Sequence, residues 1–521
     1  MNPPASPGAR EWIPAATSGL LVILLAGAFL PHQCLWVDET TQMKGLTLAP
    51  GELIRWLAGA DQGRFGVPGD RMPPLSYLVG KAWAALFGLN ESALRWMGVF
   101  LVAAAAAVVA RTARPFAGTA GSFIAGTIFA LSANVITWAV EIRAYPLFLL
   151  TSACAFLAFS RIVSRPAEVP VRWIVILAGS IVASMYTHFY GVFLAFGLGA
   201  ASLWSVWRNR GPLRPLAAAF GVAALLSAGL LPFLTASASM SPGVESGGSG
   251  LRDLVRLLYR LFSHPAISIS LVAAAFACLG MAGLFIPALL SKTPQTPAVR
   301  HWALAIALGF GATVAGSLFV RGFNVFTPSY SSWVLPGLAV LASMAWISRE
   351  RVVRSVALGA LCLLVAGQAY GAVQIVTKGP LFAHGPHRSL EALVRKHESA
   401  GLAILHESDA FGPAYFPLFY EFGSGLKQFA LLSERPLRVA EILPGGLEPA
   451  IDIEALKAPR VIVVRVEWLG ARDLRLEAQG HRPPLPPGPI AEFLSKNERW
   501  KLLESHQVAA TAGAAVHVYG R

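Results

Sequence analysis

Apolar segments separated by short basic stretches recur along the chain. Each is about 20 residues long, the length of helix that crosses roughly 30 Å of hydrocarbon. Divided at the Arg clusters and at Pro/Gly/Ser stretches, the sequence predicts about eleven spanning helices. The predicted spans are 13–33, 92–111, 117–139, 144–162, 173–187, 189–207, 215–236, 264–289, 302–320, 331–348 and 353–373. We therefore expect an α-helical, polytopic membrane protein.

The basic residues between these segments indicate the orientation of the chain. The net charge is +14, and short loops rich in Lys and Arg stay in the cytoplasm. One orientation assigns every such cluster to the cytoplasm: Arg111/Arg114, Arg161/Arg165/Arg172, Arg208/Arg210/Arg214, Lys292/Arg300 and Arg349/Arg351/Arg354. It puts the N-terminus on the cytoplasmic side of the inner (plasma) membrane and residues after about 375 outside. Because topology accounts for the basic charge, we expect no nucleic acid partner.

Two amphipathic segments of the first external loop are too short to span. The first, Gly51–Ala60, places three apolar residues on one helical face: Leu53, Trp56 and Leu57. The second, Pro74–Gly88, carries an apolar stripe: Leu75, Leu78, Val79, Ala82, Trp83 and Leu86. Fifteen residues of helix reach only about 22 Å. We therefore expect both segments to lie in the membrane interface.

The composition changes to that of a soluble domain near residue 378. Ser389–His397 predicts a helix, and three later segments predict strands: Leu402–His406, Val461–Val466 and Ala514–Tyr519. The resulting small α/β domain of about 140 residues is long enough for its own core. We divide the chain into a transmembrane domain, residues 1–377, and an extracytoplasmic α/β domain, residues 378–521.

Polar groups concentrate at four places on the predicted outer side of the membrane. They are the pair Asp38-Glu39 and the segments Asp70–Tyr77, Glu141–Pro146 and Tyr186–Gly191. Ionisable groups at a membrane boundary are costly unless they are solvated, paired or functional. Singly, each has a structural explanation: Glu141 and Arg143 as an ion pair, and His188 as a satisfied interfacial histidine. Because all four are predicted to lie on the same side of the membrane, a shared functional site is favoured.

In their order and residue patterns these segments resemble those of the membrane-embedded C-type glycosyltransferases, particularly bacterial relatives of the protein O-mannosyltransferases and the lipid A aminoarabinose transferase. Such proteins have an Asp-Glu pair after the first helix and an Asp-x-His-Pro-Pro-Leu-Tyr-Tyr-like stretch leading to Phe-Gly and an Arg. Glu-x-Arg-x-Tyr-Pro and Thr-His-Tyr-Tyr-Gly-like segments follow. The matching segments here are Asp38-Glu39, Asp70–Tyr77, Phe87-Gly88 with Arg95, Glu141–Pro146 and Thr187–Gly191. The resemblance covers the first 200 residues best.

The resemblance implies a transferase with a polyprenyl-phosphate-linked sugar donor, in which an acceptor hydroxyl attacks the anomeric carbon and inverts it. By motif position Asp38 is the catalytic base, a role typically worth about 10²–10⁴-fold in rate, and Glu39 orients hydroxyls beside it. The residues expected to bind donor phosphate and sugar are Asp70, Glu141, Arg143, Tyr145, His188, Arg321 and Tyr330. Among them Arg143, His188 and Arg321 are the cations expected to hold the leaving phosphate.

Two positions depart from the family pattern. Met72 stands where the family has a His before Pro-Pro, and Arg71 is the nearest substitute. Later, the family often has an Arg-Tyr pair before a Leu-Pro helix. Here Tyr330 follows Ser329, and Arg321 is the nearest arginine. These departures affect the donor site more than the catalytic base.

A transporter or flippase of lipid-linked sugars is the alternative from another class. It predicts polar groups near the bilayer midplane and broken helices in repeated halves, whereas the predicted spans are almost uncharged at their centres. A protein that assists export without catalysis stays open. The donor carries its own activation, so we expect no cofactor and no bound metal, with a divalent cation bridging carboxylates and phosphate as the alternative. The sugar stays open, and the acceptor is an envelope glycan, a lipid or a protein.

Overall fold

The computed structural model describes residues 12–33, 35, 37–60, 70, 72–164, 169–209, 212–239, 257, 261, 279–280, 296–319, 328–344, 351–378, 387–397, 401–407, 426–443, 446–468, 484–508 and 512–521. Contacts divide the chain into two compact units. The helical unit consists of Met1–Leu30 with Arg71–Lys378, and the sheet unit consists of Pro31–Asp70 with Gly379–Arg521. The first external loop, assigned to the transmembrane domain from the sequence, is thus grouped up to Asp70 with the C-terminal residues.

Helices make up most of the described chain. In order they are α1 (Ile13–Phe29), α2 (Val37–Thr47), α3 (Pro50–Leu57), α4 (Leu75–Phe87), α5 (Glu91–Leu131), α6 (Ala133–Ala139), α7 (Tyr145–Val163), α8 (Val171–Thr187), α9 (Gly191–Asn209), α10 (Leu213–Ser227), α11 (Leu231–Ser239), α12 (Thr296–Phe319), α13 (Val334–Met344), α14 (Arg351–Lys378), α15 (His387–His397) and α16 (Pro489–Lys496). All but α2, α3, α15 and α16 belong to the helical unit.

Within the described residues, five helical segments are long and apolar enough to cross a membrane: Ile13–His32, Glu91–Leu131, Tyr145–Val163, Leu213–Ala238 and Arg354–Thr377. Helix α5 has 41 residues, about 61 Å and twice the bilayer core. It contains a non-helical residue, Gly118 at φ 66°, in the left-handed region that favours glycine. This kink lies at the start of the predicted span 117–139, so helix α5 contains the predicted span 92–111 and most of the next one. The predicted span 264–289 lies outside the described residues except at 279–280, so the total of about eleven stays a prediction.

Small residues let the helices of this unit approach closely. Helices α9 and α12 pack together, and a Cβ added at Gly309 would lie 2.7 Å from the backbone oxygen of Phe193. Large aromatic side chains fill the interior elsewhere, and the Phe156 and Trp302 rings stack at 5.0 Å. Close backbone contact at small residues is typical of helix packing in lipid, where apolar burial alone does not drive association.

The two predicted interfacial segments both form helices. In α3 the predicted face is buried: Leu53, Trp56 and Leu57. In α4 the buried residues are Ser76, Tyr77 and Gly80, whereas Leu78 is 39% and Leu86 77% exposed. Part of the apolar stripe of α4 therefore faces outward, as expected of a helix that presents this surface to lipid.

The sheet unit contains an eight-stranded sheet. Its strands are β1 (Leu402–His406), β2 (Lys427–Glu434), β3 (Leu437–Leu443), β4 (Gly446–Leu447), β5 (Ile451–Asp452), β6 (Arg460–Trp468), β7 (Lys501–Val508) and β8 (Ala512–Gly520). The order is β4-β3-β2-β1-β6-β8-β7, with β5 beside β3. Strands β2, β1 and β6 are parallel, and the other pairs are antiparallel. The three predicted strands correspond to β1, β6 and β8 and are confirmed.

Helices cover both faces of this sheet. Leu390 and Val394 of α15 pack against one face, with Ile404 of β1 among their neighbours. Ile490 of α16 packs against the other face, beside Leu405. Successive side chains of a strand point to opposite faces, so the apolar residues Leu402–Leu405 of the fully buried β1 supply both cores. This is the small α/β arrangement expected from the sequence.

Candidate active site

Two charged side chains are buried where α6 ends and α7 begins. Glu141 and Arg143 lie in the short turn between the two helices, and both are more than nine-tenths buried. Pro146 occupies the start of α7, where its missing N–H costs no helical hydrogen bond. Five buried residues, 140–144, thus separate the two helices, and they hold a carboxylate and a guanidinium in the turn.

An aromatic cluster surrounds His188, which follows the last residue of α8. The centre of the His188 ring lies 5.9 Å from that of Tyr145, 5.1 Å from Phe148, 5.2 Å from Tyr190 and 5.3 Å from Tyr330. Tyr190 and Tyr330 are also neighbours, at 4.8 Å. The cluster thus joins the start of α7, the turn between α8 and α9, and the turn before α13.

Hydrogen bonds and charges connect this cluster to the buried turn. The hydroxyl groups of Tyr145 and Ser329 share a hydrogen bond, and Arg143 and Glu141 are charged neighbours of the Tyr145 side chain. The backbone N–H of Tyr190 donates to His188 Nδ1 at 3.3 Å. Five sequence-predicted site residues therefore lie together in the helical unit: Glu141, Arg143, Tyr145, His188 and Tyr330.

The structure changes the role expected of His188. Burial, together with the positive charge of Arg143, lowers the pKa of its imidazole from 6.5 to about 3. The ring is therefore neutral at physiological pH and adds no positive charge. Because Nδ1 accepts a hydrogen bond, the proton of the neutral ring lies on Nε2. His188 contributes a hydrogen-bond donor where the sequence analysis expected a cation.

Arg95 of α5 fixes the turn that contains Glu141 and Arg143. Its side chain is fully buried, its Nε lies 2.7 Å from the Glu91 carboxylate, and its Nη1 donates to the Val140 carbonyl at 2.6 Å. One helical turn later, a Cβ at Gly98 would lie 3.1 Å from Pro146 Cγ. Helix α5 thus contacts the turn on both sides of its charged residues. The sequence analysis named Arg95 only as the last residue of the motif that begins with Phe87-Gly88.

The predicted catalytic pair lies in the sheet unit. Asp38 and Glu39 occupy the first turn of α2, a helix that the sequence analysis did not predict. Carboxylates are stabilised there by the helix dipole. Asp38 is half-buried and Glu39 is fully buried. Further polar residues of α2 are buried as well: Thr40, Thr41, Gln42 and Lys44.

Burial also lowers the pKa of the Lys44 amine in this helix. A stretch of buried polar groups with a perturbed amine is unusual in a packed core and is common at functional sites. Asp70, the remaining predicted carboxylate, belongs to the same unit and is half-buried. Arg71 and Arg321, the proposed substitutes for the missing family residues, lie outside the described residues.

Sequence reasoning missed other members of the cluster. Ser329 and Phe148 were not predicted, because serine and phenylalanine are common in apolar helices and their spacing here matches no motif. Among the described residues, no group of three or more His, Cys, Asp or Glu side chains is arranged to hold a metal ion. The expectation of a metal-free site stays a prediction.

No protein-family model matches the sequence, and no curated protein matches it either. Several solved structures, in contrast, are similar to this chain. ArnT from Cupriavidus metallidurans bound to undecaprenyl phosphate is 13% identical, with a TM-score of 0.50 over 98% of each chain. ArnT from the same organism in the apo state gives a TM-score of 0.51 over 96% of this chain and 97% of that chain, also at 13% identity.

A third likeness is to the Archaeoglobus fulgidus oligosaccharyltransferase tethered with an acceptor peptide. It is 12% identical over 74% of this chain and 57% of that chain, with a TM-score of 0.45. The two ArnT structures match nearly the whole chain, including the helices and the C-terminal sheet. The chain therefore shares the fold of ArnT, an aminoarabinose transferase of the C-type glycosyltransferase class.

Proposed function

We propose that this protein is an inverting glycosyltransferase that moves a sugar from a polyprenyl-phosphate donor to a hydroxyl acceptor on the outer face of the membrane. The observation that carries the proposal is the group formed by Arg143, Glu141 and the aromatic cluster around His188. It combines one guanidinium, several hydroxyl groups and a neutral imidazole at the ends of apolar helices. These are the groups needed to bind a lipid phosphate that carries a sugar.

The phosphate is the part of the donor that Arg143 would bind. A guanidinium pairs with two phosphate oxygens at once, and its attraction for the anion is stronger in a buried position than in water. The negative charge on the phosphate grows as the bond to the sugar breaks. Arg143 would therefore stabilise the leaving group, and Glu141 would hold the guanidinium in position.

Asp38 is the proposed catalytic base. It would remove the proton of the acceptor hydroxyl while the acceptor oxygen forms its bond to the anomeric carbon. The bond between that carbon and the phosphate oxygen breaks, and its electron pair leaves with the lipid phosphate. Attack opposite the leaving group inverts the anomeric carbon. Glu39 and Asp70 would orient sugar or acceptor hydroxyl groups.

Two further observations support this proposal over a flippase. The fold is shared with ArnT, one of whose structures contains undecaprenyl phosphate. The polar cluster is also formed by helix ends: the start of α7, the end of α8 and the turn before α13. A transporter site near the bilayer midplane would use the middle of helices. We propose no cofactor, because the phosphate ester of the donor is already activated.

The direct test is transfer of labelled sugar by the purified full-length chain in lipid nanodiscs. Undecaprenyl phosphates bearing radiolabelled mannose, glucose or aminoarabinose are the donors, and delipidated cell-envelope extract supplies the acceptors. We expect one donor to lose its label to an acceptor, and heat-inactivated protein to give none. In liposomes, movement of the donor between leaflets without any transfer would favour the flippase instead.

A further inference from the structure

Several buried polar atoms in the segments that form the aromatic cluster have no hydrogen-bond partner among the described residues. They include the hydroxyl oxygen of Ser332 in the turn before α13 and Nε2 of His188. Ser332 is 0% exposed and His188 is 2% exposed, so bulk water does not satisfy either group. A buried donor or acceptor without a partner costs about 1–3 kcal/mol. Such groups are rare in native proteins and indicate a bound ligand or ordered water.

The backbone directs Ser332 toward the same region as Ser329. The Ser332 N–H donates to the Ser329 carbonyl at 3.3 Å, which is the spacing of a 3₁₀ turn following Pro328–Ser331. Side chains three residues apart in such a turn lie on one side. Ser329 shares a hydrogen bond with Tyr145, so Ser332 lies on the side of the turn that faces Tyr145.

His188 approaches Tyr145 from another element. Its ring lies 5.9 Å from the Tyr145 ring and stacks on Phe148 at 5.1 Å with an interplanar angle of 19°. The stacking and the bond from Tyr190 N–H to Nδ1 fix the orientation of the imidazole. The Nε2–H group is therefore a donor with a set direction, not a mobile side chain.

We infer that Ser332 and His188 bind a hydroxyl group of the donor's sugar. A sugar hydroxyl accepts a hydrogen bond from His188 Nε2–H and donates one to the Ser332 oxygen, whereas a phosphate oxygen only accepts. The tyrosine rings beside these groups offer apolar faces for the C–H groups of a sugar ring. This inference rests on the proposed function, and it separates a sugar subsite from the phosphate subsite at Arg143.

Binding of two lipid probes tests the subsite. The first probe is undecaprenyl phosphate, and the second is the same lipid phosphate bearing whichever of mannose, glucose or aminoarabinose the wild-type chain binds most tightly. We expect Ser332→Ala to weaken binding of the glycosylated probe by roughly three- to tenfold, the worth of one neutral hydrogen bond. Binding of undecaprenyl phosphate itself should not change.

Ser343 provides the matched control. It is also 0% exposed, but it lies in α13 and its hydroxyl donates to the Val340 carbonyl at 2.7 Å. Ser343→Ala should leave both affinities unchanged. Ser332→Cys, which keeps the size of the side chain but only a weak hydrogen-bonding group, should weaken binding of the glycosylated probe even if Ser332→Ala does not fold.

Three outcomes would overturn the inference: unchanged binding of the glycosylated probe by Ser332→Ala and Ser332→Cys, equal loss of both probes, or the same loss in Ser343→Ala. The first would mean that ordered water serves these groups. The failure of the proposed function is distinguishable, since the wild-type chain would then bind no glycosylated probe and transfer no sugar.

Discussion

At the scale of single residues, Asp38 gives the sharpest test of the proposed chemistry. A base must accept a proton, which Asn cannot do although it is nearly isosteric with Asp. We expect Asp38→Asn to fold and insert normally while turnover falls by about two to four decades. Glu39→Gln should lose less, because an amide still orients hydroxyl groups. The measurement is label transfer by the purified variants.

A purely structural role for Asp38 predicts the opposite result. Asp38 lies in the first turn of α2, and Asn is also favourable near a helix start. If the carboxylate only stabilises that helix, the Asn variant will transfer sugar at a rate close to that of the wild type. Such a result would remove Asp38 from the catalytic machinery while leaving its contribution to folding in place.

Arg143 tests the donor subsite. Arg143→Ala should lower kcat/KM for the donor by about 10²-fold or more, since it removes the charge that stabilises the leaving phosphate. Arg143→Lys should restore only part of the loss, because an ammonium group does not reproduce bidentate binding. Arg172, an exposed arginine at the start of α8, provides the control. Arg172→Ala should leave kcat/KM for the donor unchanged. Wild-type kinetics in Arg143→Ala would exclude this residue from the site.

At the scale of secondary structure, α5 positions the buried turn through Arg95 and Gly98. Arg95→Leu should raise KM for the donor and lower kcat, because the Val140 carbonyl loses its partner and the turn carrying Arg143 shifts. Gly98→Ala should change the same two parameters through a steric contact with the backbone at Ala139. Donor titrations of both variants in the transfer assay provide the measurement.

Two control variants separate positioning from general damage to the helices. Glu91→Gln leaves the bond from Arg95 to Val140 in place and should have a small effect. Gly221→Ala adds a methyl group in open space on α10 and should be neutral, since Ala favours a helix over Gly. If Gly221→Ala impaired transfer as much as Gly98→Ala, the contact between α5 and the turn would have no special importance.

In the sheet unit, Glu407 caps α16. Its carboxylate accepts from the Ala491 N–H at 2.7 Å and from the backbone of Ile490 and Gly488. Burial raises the pKa of this group, and the backbone N–H groups oppose that shift. We expect Glu407→Ala to destabilise α16 by about 1–2 kcal/mol, seen as faster amide exchange in a peptide covering the helix. Glu492→Ala, which removes an exposed ion pair, should change little.

The elements that the sequence predicted are those whose hydrophobic pattern decided their burial. Strand β1 is buried on both faces, and its continuous apolar run from Leu402 to Leu405 is visible in the sequence. Strand β7, at the edge of the sheet, is mostly exposed and polar, so its pattern resembled a loop. Helix α2 was missed for the opposite reason: its polar residues are buried, which no amphipathic pattern reveals.

The site was predictable only where a motif marked it. Two segments whose residue patterns resemble those of the family contain Glu141, Arg143, Tyr145 and His188, and the structure brings both segments together. Ser329 reaches the same cluster through a turn far along the chain, and only tertiary packing places it there. The neutral state of His188 likewise depends on burial and on Arg143, which are properties of the folded protein.

For the whole molecule, the main untested expectation is its orientation in the membrane. The chemistry proposed at Asp38 and Arg143 requires that the first loop, the turns at residues 141 and 188, and the sheet unit all face the outer side. The Arg clusters predict this arrangement, since short basic loops stay in the cytoplasm.

Single cysteines labelled in intact cells with a membrane-impermeant maleimide measure the orientation. In a background without the four native cysteines, a cysteine at exposed Lys457 in the sheet unit should react. One at exposed Arg214, in the first turn of α10, should react only after the cells are opened. Both sites are exposed, but they are predicted to lie on opposite sides of the membrane. Labelling at Arg214 but not at Lys457 in intact cells would reverse the topology, and with it the proposal that transfer occurs on the outer face of the membrane.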